Sequence, residues 1–164
     1  MSDSAPSARK LVFSDPLAFL AFGLGSGLSP WAPGTMGTLA AVPIAILLKL
    51  LPVAVFWPIL LLAFLAGIGI CDRTSKRLGQ HDPGGIVWDE MVAYWLTAWF
   101  VPLNWAWLLA AFVAFRFFDI LKPWPIRRVE KQFGGGFGIM IDDIVAAAYA
   151  VLVLEGAAFL LQSV

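Results

Sequence analysis

The sequence predicts an all-α fold, a polytopic helical membrane protein, and three observations predict it. The 164-residue chain is 60% hydrophobic and 13% charged, against roughly 45–50% and about 25% in soluble domains. Its mean hydropathy is +0.84. Its apolar residues gather into about five long segments, two hairpins plus a C-terminal helix, behind an N-terminal interfacial or re-entrant segment. A soluble fold this small has too little interior to hide that much apolar surface, so the reading places lipid over part of it.

Residues 1–10 are small and polar and read as a flexible tail, leaving 11–164 as one helical domain. Residues 11–28 are apolar but broken by Asp15-Pro16 and by glycines from Gly23 onward, which suits an interfacial or re-entrant segment better than a clean span. The same breaks argue against a cleaved signal sequence, although Arg9 and Lys10 precede the run. Pro30, Pro33 and Gly34 forbid a regular helix before Thr35. Helices are then expected over 35–51 and 53–70, joined at Pro52, and over 86–101 and 105–118, joined by Pro102-Leu103-Asn104. Residues 119–138 are polar and turn-rich, and 139–161 form the last helix. Several of these runs hold only about 15–18 residues, short against the roughly 20 of a normal span. Such helices tilt little or sit where the bilayer is thin. No internal repeat is evident.

Threading the five helices as alternating crossings separates the charges. Of eleven Lys and Arg, all but Lys49 fall on the side of the N-terminus: Arg9, Lys10, Arg73, Lys76, Arg77, Arg116, Lys122, Arg127, Arg128 and Lys131. Of eleven Asp and Glu, only Glu155 falls on the other side. The positive-inside bias makes the charged side cytoplasmic, and Trp57, Trp99, Trp105 and Trp107 mark the opposite interface. A net charge of zero gives no basic excess to attract nucleic acid.

Acids inside the starts of apolar helices are costly and point to function. Asp89-Glu90 and Asp142-Asp143 stand at two charged-side helix entrances. Helix-dipole stabilisation accounts for one such pair. Two pairs brought side by side repel unless a cation lies between them, and hard oxygen donors completed by water suit Mg²⁺. Arg116, Asp119 and Lys122, spaced i, i+3, i+6, aim two cations and an acid at one region, either to grip phosphate or as an interfacial ion pair. Gly34-Thr35-Met36-Gly37-Thr38 opens a helix with free N–H groups and two hydroxyls, either as an anion site or as a cap with glycine packing.

Other chemistries are poorly served. Cys71 is the sole cysteine, which excludes an intramolecular disulfide and a cysteine metal cage. Cys71 to Arg77 fits a C-x₅-R spacing but has no glycine in between to build a thiolate cradle. His81 is the sole histidine, so a phosphohistidine mechanism with a separate histidine acid is excluded. His81 and Asp82 read as loop-positioning groups. An ion-coupled transporter needs its acids near mid-bilayer rather than at helix entrances. A non-catalytic membrane scaffold predicts that replacing Asp89 or Asp142 affects folding alone. A CDP-alcohol transferase needs a glycine-spaced multi-Asp helix that is not present.

Four strings in order resemble the phosphatidylglycerophosphatase A family. They are Gly25–Pro30 running on through Ala32–Thr38, His81-Asp82 with Ile86–Glu90, Phe115–Ile126, and Gly135–Asp143. Pro83 and Phe133 depart from the family pattern, which has histidines there, so no histidine-dependent step is expected. The family also has soluble members, so the membrane reading rests on hydropathy. The resemblance implies an all-helical, multi-pass enzyme of the bacterial inner membrane, with its site facing the cytoplasm. It would hydrolyse the phospholipid phosphatidylglycerophosphate to phosphatidylglycerol with Mg²⁺. On this reading Asp89, Glu90, Asp142 and Asp143 hold metal, and Arg116 and Lys122 neutralise the phosphoryl group. Asp119 orients Arg116 or serves as base, and Gly34, Thr35, Gly37 and Thr38 bind phosphate.

Overall fold

The computed structural model describes residues 7–80 and 83–162, apart from the side chains of 130, 131 and 162. His81, Asp82 and the first six residues of the expected tail lie outside the described residues. Eight α-helices follow in order: α1 (Ala8–Ser14), α2 (Pro16–Ala21), α3 (Pro33–Lys49), α4 (Val53–Leu78), α5 (Trp88–Trp99), α6 (Trp105–Leu121), α7 (Ile126–Gln132) and α8 (Gly135–Gln162), with a 3-10 turn at Ser26–Leu28. No strand occurs among the described residues, so the all-α class holds.

Local chemistry sets the boundaries. Helix α1 already begins at Ala8, because the Ser7 hydroxyl accepts from Lys10 N. The Asp15 carboxylate accepts from Leu17 N and caps α2, whose first residue is proline. Residues 11–28 thus fold as two short helices and a turn, with Leu11, Val12, Ala18, Ala21 and Phe22 buried. Helix α4 runs on through Asp72–Leu78, a stretch the sequence reads as a polar connection. An Asp72–Lys76 pair supports that turn at 2.6 Å, and the first left-handed residue to stop it is Gly79. Helix α8 begins four residues earlier than expected, where Asp72 accepts the Gly136 N–H.

Five long helices are present, but the expectation of five crossings is corrected. Among the described residues only α4 and α8 are long and apolar enough to cross a membrane. Only 22% of each apolar window is buried, unlike the core helix of a soluble protein. Helices α3 and α6 have 17 residues each, about 25 Å at 1.5 Å per residue, and fall short of the roughly 30 Å hydrocarbon core. Helix α5 has 12 residues, about 18 Å. It is a central strut: α3, α4, α6 and α8 all pack on it. Its Met91, Val92, Ala93, Tyr94, Trp95, Thr97 and Ala98 are buried.

The packing follows the rules of helices in lipid. Alanines 41, 45, 93, 98, 111, 146, 147 and 150 are at most 1% exposed, and small residues let backbones approach where lipid gives little hydrophobic gain between helices. At the α4–α8 crossing, Gly136 lies against the Ile68 carbonyl, and a Cβ at Gly67 would stand 2.6 Å from Met140 Sδ. The outward faces carry the large side chains: Leu61, Leu62 and Leu65 on α4, Leu109, Val113 and Phe117 on α6, and Leu152, Phe159 and Leu160 on α8. That continuous apolar surface is suited to lipid.

Candidate active site

The charged residues of three helices meet at one end of the bundle. Helix α5 brings Asp89 and Glu90 in its first turn, and the antiparallel α6 brings Arg116 and Asp119 in its last two turns. Arg116 Nη1 lies 3.1 Å from Glu90 Oε1 and 2.6 Å from Asp119 Oδ2, so one guanidinium bridges two helices. Lys122 caps α6 in a left-handed conformation, and its ammonium reaches Asp142 Oδ2 on α8 at 2.7 Å. Asp143, one residue on, is 3% exposed, and its Oδ2 has no hydrogen-bond partner. The carboxylates of Asp119, Asp89, Glu90 and Asp142 all act on it electrostatically. All seven acidic and basic residues singled out in the sequence therefore converge.

The glycine-threonine turn divides. Gly34 is part of the site: a Cβ there would run into Glu90 Oε1 and stand 2.9 Å from Arg116 Nη1. Thr35, half-buried, is on the same first turn of α3. Gly37 instead faces Val87, whose Cβ would lie 2.5 Å from an added methyl. The Thr38 hydroxyl is fully buried and donates to the Gly34 carbonyl at 2.9 Å. These two residues are spent on helix packing.

Among the described residues, Arg116 and Lys122 pair with Glu90, Asp119 and Asp142, while the buried Asp143 Oδ2 has no hydrogen-bond partner. A buried carboxylate without compensation costs several kcal/mol (roughly, from effective desolvation penalties), so the site favours a further cation. The donors are hard oxygens, which suits Mg²⁺. They do not yet stand as a ligand cage: among the described residues no three His, Cys, Asp or Glu side chains are grouped as a metal ion would need. The donor chemistry fits the ion, while Glu90 is engaged by Arg116 and Asp142 by Lys122.

Cys71 is fully buried, 4.0 Å from Met140 Sδ, and Arg77 pairs with Asp15, so the C-x₅-R spacing makes no cradle. Sequence reasoning missed two polar residues that hold the site's helices. Asp72 fixes the start of α8 through Gly136 N–H, and its i, i+4 relation to Lys76 was the available signal. Lys49 donates to the carbonyls of Ala98, Trp99 and Val101 at 2.8, 3.0 and 2.7 Å and anchors the far end of α5. Its being the lone cation on that side was the clue.

Comparison with known proteins places this arrangement. A family profile described as phosphatidylglycerophosphatase A matches residues 19–158. Phosphatidylglycerophosphatase A of Escherichia coli K12 is 47% identical over 146 residues, covering 88% of this chain and 85% of that protein. The Haemophilus influenzae protein of the same name is 48% identical over 156 residues, covering 94% and 95%. A Bacteroides thetaiotaomicron protein provisionally named phosphatidylinositol-3-phosphatase is 44% identical over 140 residues, covering 80% and 87%. No solved structure matches. On the profile match and these identities, the chain belongs to the phosphatidylglycerophosphatase A family.

Proposed function

We propose that this protein hydrolyses the terminal phosphomonoester of phosphatidylglycerophosphate, releasing phosphatidylglycerol and inorganic phosphate. It acts as a multi-pass protein of the bacterial inner membrane with its site at the cytoplasmic face. The observation that carries the reading is the meeting of Arg116, Lys122 and five carboxylates beside the bare backbone of Gly34. The family's named activity supports it, and the clustering of Lys and Arg at the site's end of the chain supports the orientation.

The division of labour follows from the contacts. Phosphoryl transfer needs positioning and charge neutralisation more than covalent chemistry. Arg116 presents a planar fork to phosphate oxygens, and Asp119, 2.6 Å away, holds that fork in place. Lys122 adds a point charge from the α8 side. Gly34 lets Glu90 and Arg116 come close against the first turn of α3, whose unpaired N–H groups favour negative charge. Asp89, Glu90, Asp142 and Asp143 would hold Mg²⁺. When bound, the ion supplies Lewis-acid polarisation of the phosphate and activation of water. The headgroup reaches the polar end of the bundle while the acyl chains remain in the bilayer.

The test is phosphate release from phosphatidylglycerophosphate by detergent-purified protein, with Mg²⁺ and with EDTA, beside Asp142→Asn. Mg²⁺-dependent release that disappears in a folded Asp142→Asn protein is expected. Absence of release from folded wild type overturns the phosphatase reading, and EDTA-resistant release overturns the metal. Phosphatidylinositol 3-phosphate as a second substrate sets the breadth, given the name of the Bacteroides relative.

A further inference from the structure

We infer that the seam between α3 and α6 is a groove for one acyl chain of the phospholipid substrate; the inference rests on the lipid-phosphatase reading above. The two helices meet at the site, where Arg116 of α6 comes within 2.9 Å of the Cβ position of Gly34 on α3. Beyond that point α3 packs mainly on α5 and α6 mainly on α8, and the two touch each other sparsely. Two hollows fill the seam in succession. The first, about 160 Å³, lies between Leu39 and Val42 of α3 and Leu109 and Phe112 of α6, over Tyr94. The second, about 370 Å³, continues past Ile46 to Leu103. They share Trp105 and Leu108, so they adjoin along the bundle's side.

Its chemistry is that of hydrocarbon. The first hollow is lined almost wholly by apolar surface, and the one polar group beneath it, the Tyr94 hydroxyl, is taken by the Leu108 carbonyl at 3.1 Å. The cationic end is Arg116, one turn before which stands Phe112. A ligand lying here has a phosphate at one end and an alkyl chain at the other. From Arg116 back to Trp105 the helix rises about 16 Å, close to the depth of one leaflet, about half of a 30 Å core. That length suits a single acyl chain of a lipid standing in its own leaflet.

A second apolar hollow, about 350 Å³ among Trp57, Leu61, Phe64 and Ile144, lies between α4 and α8. Its Ile141 and Ile144 flank Asp142 and Asp143 on α8, so it is the rival groove that the test must distinguish.

The inference is tested in vesicles with a phosphatidylglycerophosphate analogue carrying a diazirine midway along one acyl chain. Photo-adducts on residues 39–46 and 105–112, competed by unlabelled substrate, are expected. Adducts on the α4–α8 hollow, or spread evenly over the lipid-facing surface, overturn it. Kinetics give the second arm. Val42→Trp fills the groove and lowers the kcat/KM ratio of long-chain to dibutyroyl substrate about tenfold, the worth of about two methylenes of lost contact, mainly through KM. Leu61→Trp in the other hollow leaves the ratio unchanged. An equal loss on both substrates overturns the groove. Wild type inactive on both substrates overturns the phosphatase reading instead, and the adduct map still decides the groove.

Discussion

The two ends of α5 handle buried charge in opposite ways. At the Trp99 end one ammonium, Lys49, donates to the carbonyls of Ala98, Trp99 and Val101. An ammonium has three donors, so its capacity is met, and so are carbonyls that a helix end leaves without partners. At the Asp89 end, among the described residues, Arg116 and Lys122 pair with Glu90, Asp119 and Asp142, while the buried Asp143 Oδ2 has no hydrogen bond. The first end is complete in itself and needs nothing more than the fold. The second leaves one buried carboxylate oxygen of Asp143 unmet, which suits a site that takes up a cation and a group for Arg116 and Lys122 to receive.

The contrast predicts that changes at the two ends differ in kind. The largest effect is expected at Asp143. Asp143→Asn removes a charge the fold alone does not satisfy, so activity falls by about 10³-fold while the melting temperature without metal rises. Mg²⁺ at about 100 times its dissociation constant stabilises wild type by about 2.7 kcal/mol and leaves Asp143→Asn unshifted. Calorimetry with and without Mg²⁺ reads both. A mutant that is inactive and less stable makes Asp143 structural and erases the contrast.

Next is Gly34→Ala. The added methyl meets Glu90 Oε1 and Arg116 Nη1, so the guanidinium must move. A displacement of about 1 Å costs about 10²-fold in rate, with little change in melting temperature. Gly37→Ala, which presses on Val87 instead, serves as the control: it lowers the melting temperature more than it slows the folded enzyme. If the two variants behave alike, the division of the turn into a site half and a packing half is wrong.

At the complete end, Lys49→Met leaves three carbonyls unmet in an apolar setting. Each unsatisfied group costs about 1–3 kcal/mol when nothing replaces its partner, so unfolding in detergent shifts clearly while activity per folded molecule changes by less than about tenfold. A larger catalytic loss means that α5 shifts its depth when its far cap goes, carrying Asp89 and Glu90 with it.

How much of this was legible in the sequence follows from the range of each interaction. The five helices and the paired acids were readable because hydropathy and charge are local properties. Arg116, Asp119 and Lys122 were readable because i, i+3, i+6 spacing is geometry within one helix. The number of crossings was not, because a 12-residue helix such as α5 lasts only if four neighbours surround it. Nor was the fate of Thr38, whose hydroxyl serves an anion or its own helix depending on whether Val87 closes the space beside Gly37. The Lys49 cap joins residues about fifty positions apart, and no local pattern announces it.

The smallest effect tests the N-terminal helices, which lean on the charged end of α4. Asp15 caps α2 and pairs with Arg73 and Arg77. The Leu17 N–H, and then the two guanidinium groups, hold its carboxyl below its ordinary value of 3.8. The folded value is the lower one, so Asp15 stabilises the fold fully above 3.8, and the gain is lost as pH falls through the folded value. Both arginines are about half exposed, at 56% and 46%, so solvent screens the pairs and the effect is small. Asp15→Asn retains a capping oxygen and loses the charge. It is expected to melt slightly below wild type at neutral pH, with the gap closing as the solution is acidified past 3.8. A gap that stays constant into acid assigns Asp15 to capping alone, and then the N-terminal helices are held in place by the burial of Leu11, Val12 and Phe22 rather than by charge.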